Sequence, residues 1–154
     1  PTLRDRAAAP PVHWLPATVE AATVRSDAAA VPAALAEALA VYGRHDTGAA
    51  IPALEALELD AGWASLRDLY LLSALANAGR VAAAETVLVR LDAATLPHGP
   101  RHEAWWYRYV LLTRTGRQDE ARSLLGDLEG VEGEIGDLAR AERRRLEAGA
   151  QGKP

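Results

Sequence analysis

Between residues 31 and 146 apolar side chains recur with the period of a helix, and polar residues fill the gaps. Leu35, Leu39 and Tyr42 fall at i, i+4 and i+7, which predicts a first helix from about Pro32 to His45. Pro32 suits the first turn, where its missing N–H has no helical partner to lose. The turn GRHDTG follows, and Ile51, Leu54, Leu57 and Leu59 outline a second helix with Pro52 in its first turn. Asp60-Ala61-Gly62 interrupts the pattern. Leu66, Leu69 or Tyr70, Ser73, Leu75 and Ala76 then predict a third helix ending at Gly79, where a left-handed residue carries no side-chain penalty. A fourth runs from Val81 to Ala93 through Ala84, Leu88 and Leu91, and TLPHGPR at 95–101 reads as a loop. Residues 104–128 supply a fifth and a sixth helix turning at Gly116. Ile135, Leu138, Ala139 and Leu146 give a seventh whose other face carries Glu134, Asp137, Arg140, Arg143, Arg144 and Glu147. The expected fold is all-α.

The pattern also repeats. Ala50, Leu54 and Leu57 return as Ala84, Leu88 and Leu91 after 34 residues, and as Ala121, Leu125 and Leu128 after 37 more. Two helices per step, a turn residue between them at His45, Gly79 and Gly116, and a small-Leu-Leu triplet in the second helix resemble the tetratricopeptide repeat. The resemblance covers about residues 32–129. It implies a right-handed solenoid of helical hairpins, with repeats at about 31–60, 63–96 and 101–130. Residues 131–148 then act as a capping helix that covers the last apolar face and keeps its own outer face wet. The domain expected is 31–148, with an extended leader at 1–30 and a disordered tail at 149–154. The phrases VYGRHDTGAAIPALEAL and HEAWWYRYVLLTRTGRQDEA are also similar to bacterial repeat domains that follow an anti-sigma-factor-like or membrane-anchor segment.

Within the resemblance the second helices follow the repeat pattern better than the first. Trp105 matches the family's early aromatic position, whereas Ala34 and Asp68 stand at its equivalents, and Ala38, Leu72 and Tyr109 occupy the small-residue place. Arg108 and Glu37 take positions that are usually apolar. Adjacent helix residues point about 100° apart, so Trp105 and Trp106 cannot share a face. The register puts Trp105 inside with Tyr109 and Leu112. It puts Trp106 on the concave wall with Val110, Thr113 and Arg114; packing of Trp106 against the seventh helix or the leader is the alternative. The wall residues upstream are Leu35, Leu39 and Tyr42, then Leu66, Leu69, Ser73 and Asn77, with Glu103 as a further polar group. Leu39, Ser73 and Val110 stand where a carboxylate-clamping subfamily would use asparagines, and the single lysine is Lys153, so a receptor for a peptide's terminal carboxylate is disfavoured.

The leader carries Pro10, Pro11 and Pro16, which oppose helix, and one apolar cluster, Val12, Trp14 and Leu15. A tryptophan offers about 150–250 Å² of surface that is costly to leave in water, which predicts docking of Trp14 on its own domain, the alternative being a partner or a neighbouring chain. The chain has no methionine and begins with Pro1, so an initiator residue, tag, signal, anchor or further domain is expected before it.

Composition narrows function mainly by exclusion. A net charge of −4 with interspersed signs offers no extended positive face for a phosphate backbone, so nucleic acid is not an expected partner. No apolar run approaches the roughly 20 residues of a membrane span. With no cysteine there is no thiolate nucleophile, zinc-thiolate site or disulfide. Of the four histidines, His13 and His45 lie apart, and His98 and His102 are separated by Gly99-Pro100, read as a break that prevents their alignment as metal ligands. Arg143, Arg144 and Arg145 point in three directions along a helix and form no single patch. No phosphate loop, nucleophile elbow or HExxH motif is present. Neither cofactor, metal nor enzymatic activity is expected. The reading that remains is a scaffold for a protein or peptide partner, with Leu35, Leu39, Tyr42, Leu69, Ser73, Asn77, Trp106, Val110 and Arg114 lining its groove. Homo-oligomeric assembly, and a regulatory segment of a larger bacterial signalling protein, stay open as alternatives.

Overall fold

The computed structural model describes residues 10, 13–17, 31–93, 96 and 98–151. Among them are seven α-helices and no strand: α1 (Ala33–Tyr42), α2 (Thr47–Glu55), α3 (Ala61–Asn77), α4 (Val81–Ala93), α5 (His98–Arg114), α6 (Gln118–Glu129) and α7 (Glu134–Gln151). The chain is all-α, as the periodicity predicts.

Helix starts follow caps more closely than apolar residues. The Asp46 carboxylate accepts from the Ala49 N–H at 3.2 Å and starts α2 at Thr47, so Pro52 lies inside the helix and not in its first turn. That helix ends at Glu55; Leu57 and Leu59 lie beyond it and pack back on the core. Asp60 starts α3 in the same way, accepting from the N–H groups of Gly62 and Trp63, both at 3.1 Å. The expected break at Gly99-Pro100 is instead the first turn of α5, where proline is favoured because no helical donor is lost. Residues 149–151 of the expected tail are helical, and 152–154 lie outside the described residues. So does the leader apart from residues 10 and 13–17.

Three turns have one geometry. His45, Gly79 and Gly116 have φ of 59°, 72° and 78°, and they are spaced 34 and 37 residues apart, like the Ala-Leu-Leu triplets. After α3 and α5 the turn is closed by paired bonds, Arg80 N–H to Leu75 O at 2.9 Å and Arg117 N–H to Leu112 O at 2.9 Å. His45 adopts this left-handed conformation at a cost of about 1–2 kcal/mol that glycine would avoid.

Helix α1 packs on α2 and α3, α3 on α4 and α5, and α5 on α6 and α7, so α1, α3, α5 and α7 are successive neighbours in space. Ala50, Ala84 and Ala121 are no more than 2% exposed, and their size allows the second helix of each hairpin to approach closely. One core cluster joins Leu35, Leu54, Leu72, Leu88, Tyr107 and Leu111. A second holds Trp106, Tyr109, Val110, Leu125, Leu128, Ile135 and Ala139, and so fixes α7 against α5 and α6. Helix α7 enters over Gly136, where an added Cβ would stand 1.8 Å from the Val131 carbonyl oxygen.

Polar groups tie the helices where apolar faces end. Asp68 is bound bidentately by Arg90 at 2.9 and 3.0 Å, joining α3 to α4, and Arg67 reaches the Leu57 carbonyl at 2.7 Å. The buried Glu142 carboxylate accepts from the Tyr109 hydroxyl at 2.8 Å and from Arg145 at 2.6 and 2.7 Å. None of the helices is long and apolar enough to cross a membrane.

Candidate functional site

The row formed by α1, α3, α5 and α7 carries a seated peptide segment, and it belongs to the same chain. Residues 13–17 have no helical or strand structure and cross from Glu103 on α5, where Glu134 of α7 also reaches His13, to the end of α1. An extended chain advances about 3.3–3.6 Å per residue, so five residues span roughly two interhelix distances of 8–10 Å. Both the backbone and the side chains of the segment are held.

Two carbonyls are captured by side-chain donors. The His13 carbonyl accepts from the Tyr107 hydroxyl at 2.7 Å and from Asn77 Nδ2 at 3.3 Å, and the Pro16 carbonyl accepts from the Tyr70 hydroxyl at 2.9 Å. Asn77 is steered by a second bond to the Ser73 carbonyl at 2.8 Å. Ser73 Oγ, fully buried, sits 2.8 Å from the Tyr107 hydroxyl and 2.7 Å from that of Tyr42. Since the Tyr107 proton goes to His13, Ser73 donates to Tyr107 and receives from Tyr42, and the chain of hydroxyls closes with each partner satisfied.

Side chains fill the surroundings. Leu15 is 4% exposed and enters the core cluster. Trp14 stacks on His45 with ring centroids 4.4 Å apart and leans on Tyr42 at 5.2 Å. His45 thus both makes the left-handed turn and forms a wall for the indole. Ala17 passes Gly43, where a Cβ would lie 3.3 Å from that of Ala17.

The imidazole of His13 is buried beside two carboxylates. Its Nε2 is 3.1 Å from Glu103 Oε2, off the line of an ideal hydrogen bond, and its Nδ1 is 3.7 Å from Glu134 Oε1. Burial opposes the charged form, but the bond to Glu103 and the charges of Glu103 and Glu134 outweigh it and raise the pKa above 6.5. Burial pushes the phenols in the opposite functional sense. It raises Tyr42 and Tyr107 far above the ordinary value and Tyr70 to about 12, so all three remain protonated donors at neutral pH. Ser73 Oγ has the phenols of Tyr42 and Tyr107 and, at 3.5 Å, the Asn77 amide as neighbours, an arrangement that orients the Tyr107 and Asn77 donors toward the His13 carbonyl.

The positions selected from the sequence divide into three groups. Tyr42, Ser73 and Asn77 touch or support the segment directly. Leu35, Leu39, Leu69 and Val110 are at most 3% exposed, in the two core clusters. Trp106 is fully buried with Tyr109, Ile135 and Ala139, while Trp105 is half-buried and leans on His102 at 5.6 Å. The two indoles therefore differ from the repeat register, with Trp106 taking the inner place because α7 supplies a second apolar face there. Arg114 donates to the Ala76 carbonyl at the end of α3. His13, Tyr70, Tyr107 and Glu134 belong to the site although they are not among the groove positions expected from the sequence, and Glu103, a marginal groove position, is central to it.

Among the described residues no group of three or more His, Cys, Asp or Glu side chains is placed to hold a metal ion. Comparison of the chain with family models, with curated proteins and with solved structures finds no match.

Proposed function

We propose that the chain is a non-enzymatic, tetratricopeptide-like scaffold that binds a protein partner through an extended peptide laid across α1, α3 and α5. The observation that carries this reading is the capture of two peptide carbonyls by Tyr107, Asn77 and Tyr70, side chains of the α3–α5 wall. Donors aimed at backbone oxygens recognise any extended chain, and flanking apolar sites then select among sequences. Support for the repeat architecture comes from the hairpin pairing and from equivalent left-handed turns at His45, Gly79 and Gly116. Small residues at Ala50, Ala84 and Ala121 add to it.

Peptide display against the full chain carrying Leu15→Asp, which disfavours its own segment, tests the reading. Selected peptides should lose roughly tenfold in affinity when Tyr70→Phe and Asn77→Ala are added, since each donor contributes about 0.5–1.5 kcal/mol. A selection yielding only peptides indifferent to both donors contradicts it.

A further inference from the structure

Resting on that scaffold reading, we infer that residues 13–17 are a resident pseudo-ligand. The partner they stand in for is an extended peptide carrying a cationic side chain, then an aromatic and a leucine. Each feature of that sequence is read from a contact. The cation corresponds to His13, which Glu103 approaches from α5 and Glu134 from α7, with the Tyr107 ring stacked at 6.4 Å. The aromatic corresponds to Trp14 between Tyr42 and His45 and the leucine to buried Leu15, while the exposed Pro16 is held through its carbonyl by Tyr70, a contact open to any residue.

The resident does not fill the cleft. Beside Leu15 and Pro16 lies a cavity of about 380 Å³ with Leu69 and Ile135 on its apolar walls and Glu103 and Glu134 at its polar edge. A lysine or arginine in place of His13 brings an aliphatic stem and a permanent charge, the two properties this space offers. An incoming peptide with such a residue gains contacts that the resident lacks. The resident's advantage is its tether, residues 18–30, which join Ala17 to Val31. Short tethers give effective concentrations on the order of mM. With an intrinsic Kd of roughly 10–100 µM for the resident segment itself, a free peptide would therefore bind the intact chain about ten to a hundred times more weakly than a chain whose own segment is disengaged.

Fluorescence anisotropy with a dye-labelled peptide of residues 10–17 tests this on the full-length protein at pH 7.5. The Trp14→Ala/Leu15→Asp variant should bind the peptide at least tenfold more tightly than the wild type. An arginine in the His13 place should strengthen binding, a glutamate there should weaken it at least tenfold, and Glu103→Gln in the protein should reduce the arginine preference. Equal affinity of wild type and variant overturns the pseudo-ligand assignment, and indifference to the charge at the His13 place overturns the partner chemistry; both leave the scaffold reading standing. Absence of binding by a variant that keeps wild-type helical circular dichroism overturns the scaffold reading as well. Trp14→Ala alone, which leaves Leu15 in the core, serves if the double variant does not fold; it should bind about threefold more tightly than wild type, and no gain overturns the assignment. A wild-type dimer that dissociates on Leu15→Asp would assign the occupant to a second copy and overturn the intramolecular one.

Discussion

Tyr107 is the residue on which the seated segment and the core meet, since its hydroxyl holds the His13 carbonyl while its ring belongs to the main apolar cluster. Tyr107→Phe keeps the ring and removes a buried hydrogen bond, leaving the carbonyl with only the longer Asn77 contact. It should cost about 1–3 kcal/mol in a urea titration, whereas an unchanged midpoint would show that the carbonyl finds another donor. His13 gives a pH dependence of defined sign. Its folded pKa is raised above 6.5, so its ion pairs contribute fully below that value, and the contribution fades as pH rises through the raised folded pKa. The stability gap between wild type and His13→Gln should therefore be larger at about pH 6 than at pH 8, measured by urea midpoints; a gap independent of pH would mean that Glu103 and Glu134 do not stabilise the imidazolium. Helical spacing sets the shared face of Tyr42, Ser73 and Asn77, and that face meets residues 13–17. The partners of Tyr70 and Tyr107 were not legible, because a phenol's position in a sequence carries no information about which backbone oxygen it will meet.

At the level of helices, α3, α4 and α6 were legible over most of their length because long apolar stripes and left-handed turns bound them. The starts of α2 and α5 were not: Thr47-Gly48-Ala49 and His98-Gly99-Pro100 carry no stripe, and a capping aspartate or a first-turn proline decides them instead. The Trp105 and Trp106 pair was ambiguous for a related reason. Two neighbouring indoles are equally apolar, and only the arrival of α7 determines which is enclosed. That arrival depends on Gly136. Gly136→Ala puts a Cβ against the Val131 carbonyl, a backbone atom with no rotamer to yield, and should destabilise the protein by about 1–3 kcal/mol or more. Hydrogen exchange should show the loss first in the amides of α7, leaving α1 to α4 protected; uniform loss along the chain would contradict local docking of this helix.

For the whole molecule, the all-helical character was visible in the apolar periodicity, and docking of Trp14 followed from the cost of exposing an indole. What no periodicity could reveal is that residues 13–17 cross α3 through their backbone, since carbonyl capture is independent of sequence. The cleft and its occupant form one unit in which tyrosine hydroxyls, a serine and an asparagine replace the water that a free peptide would lose. A full-length chain with an occupied cleft places the Trp14 indole against the rings of His45 and Tyr42 and buries the Leu15 side chain beside Tyr107. Two-dimensional NOE spectroscopy measures those proximities directly. Cross-peaks from the Trp14 indole to the aromatic protons of His45 and Tyr42, with Leu15 methyl resonances shifted by ring currents, are the predicted result; a Trp14 with no such cross-peaks and Leu15 methyls at free-peptide positions would contradict it.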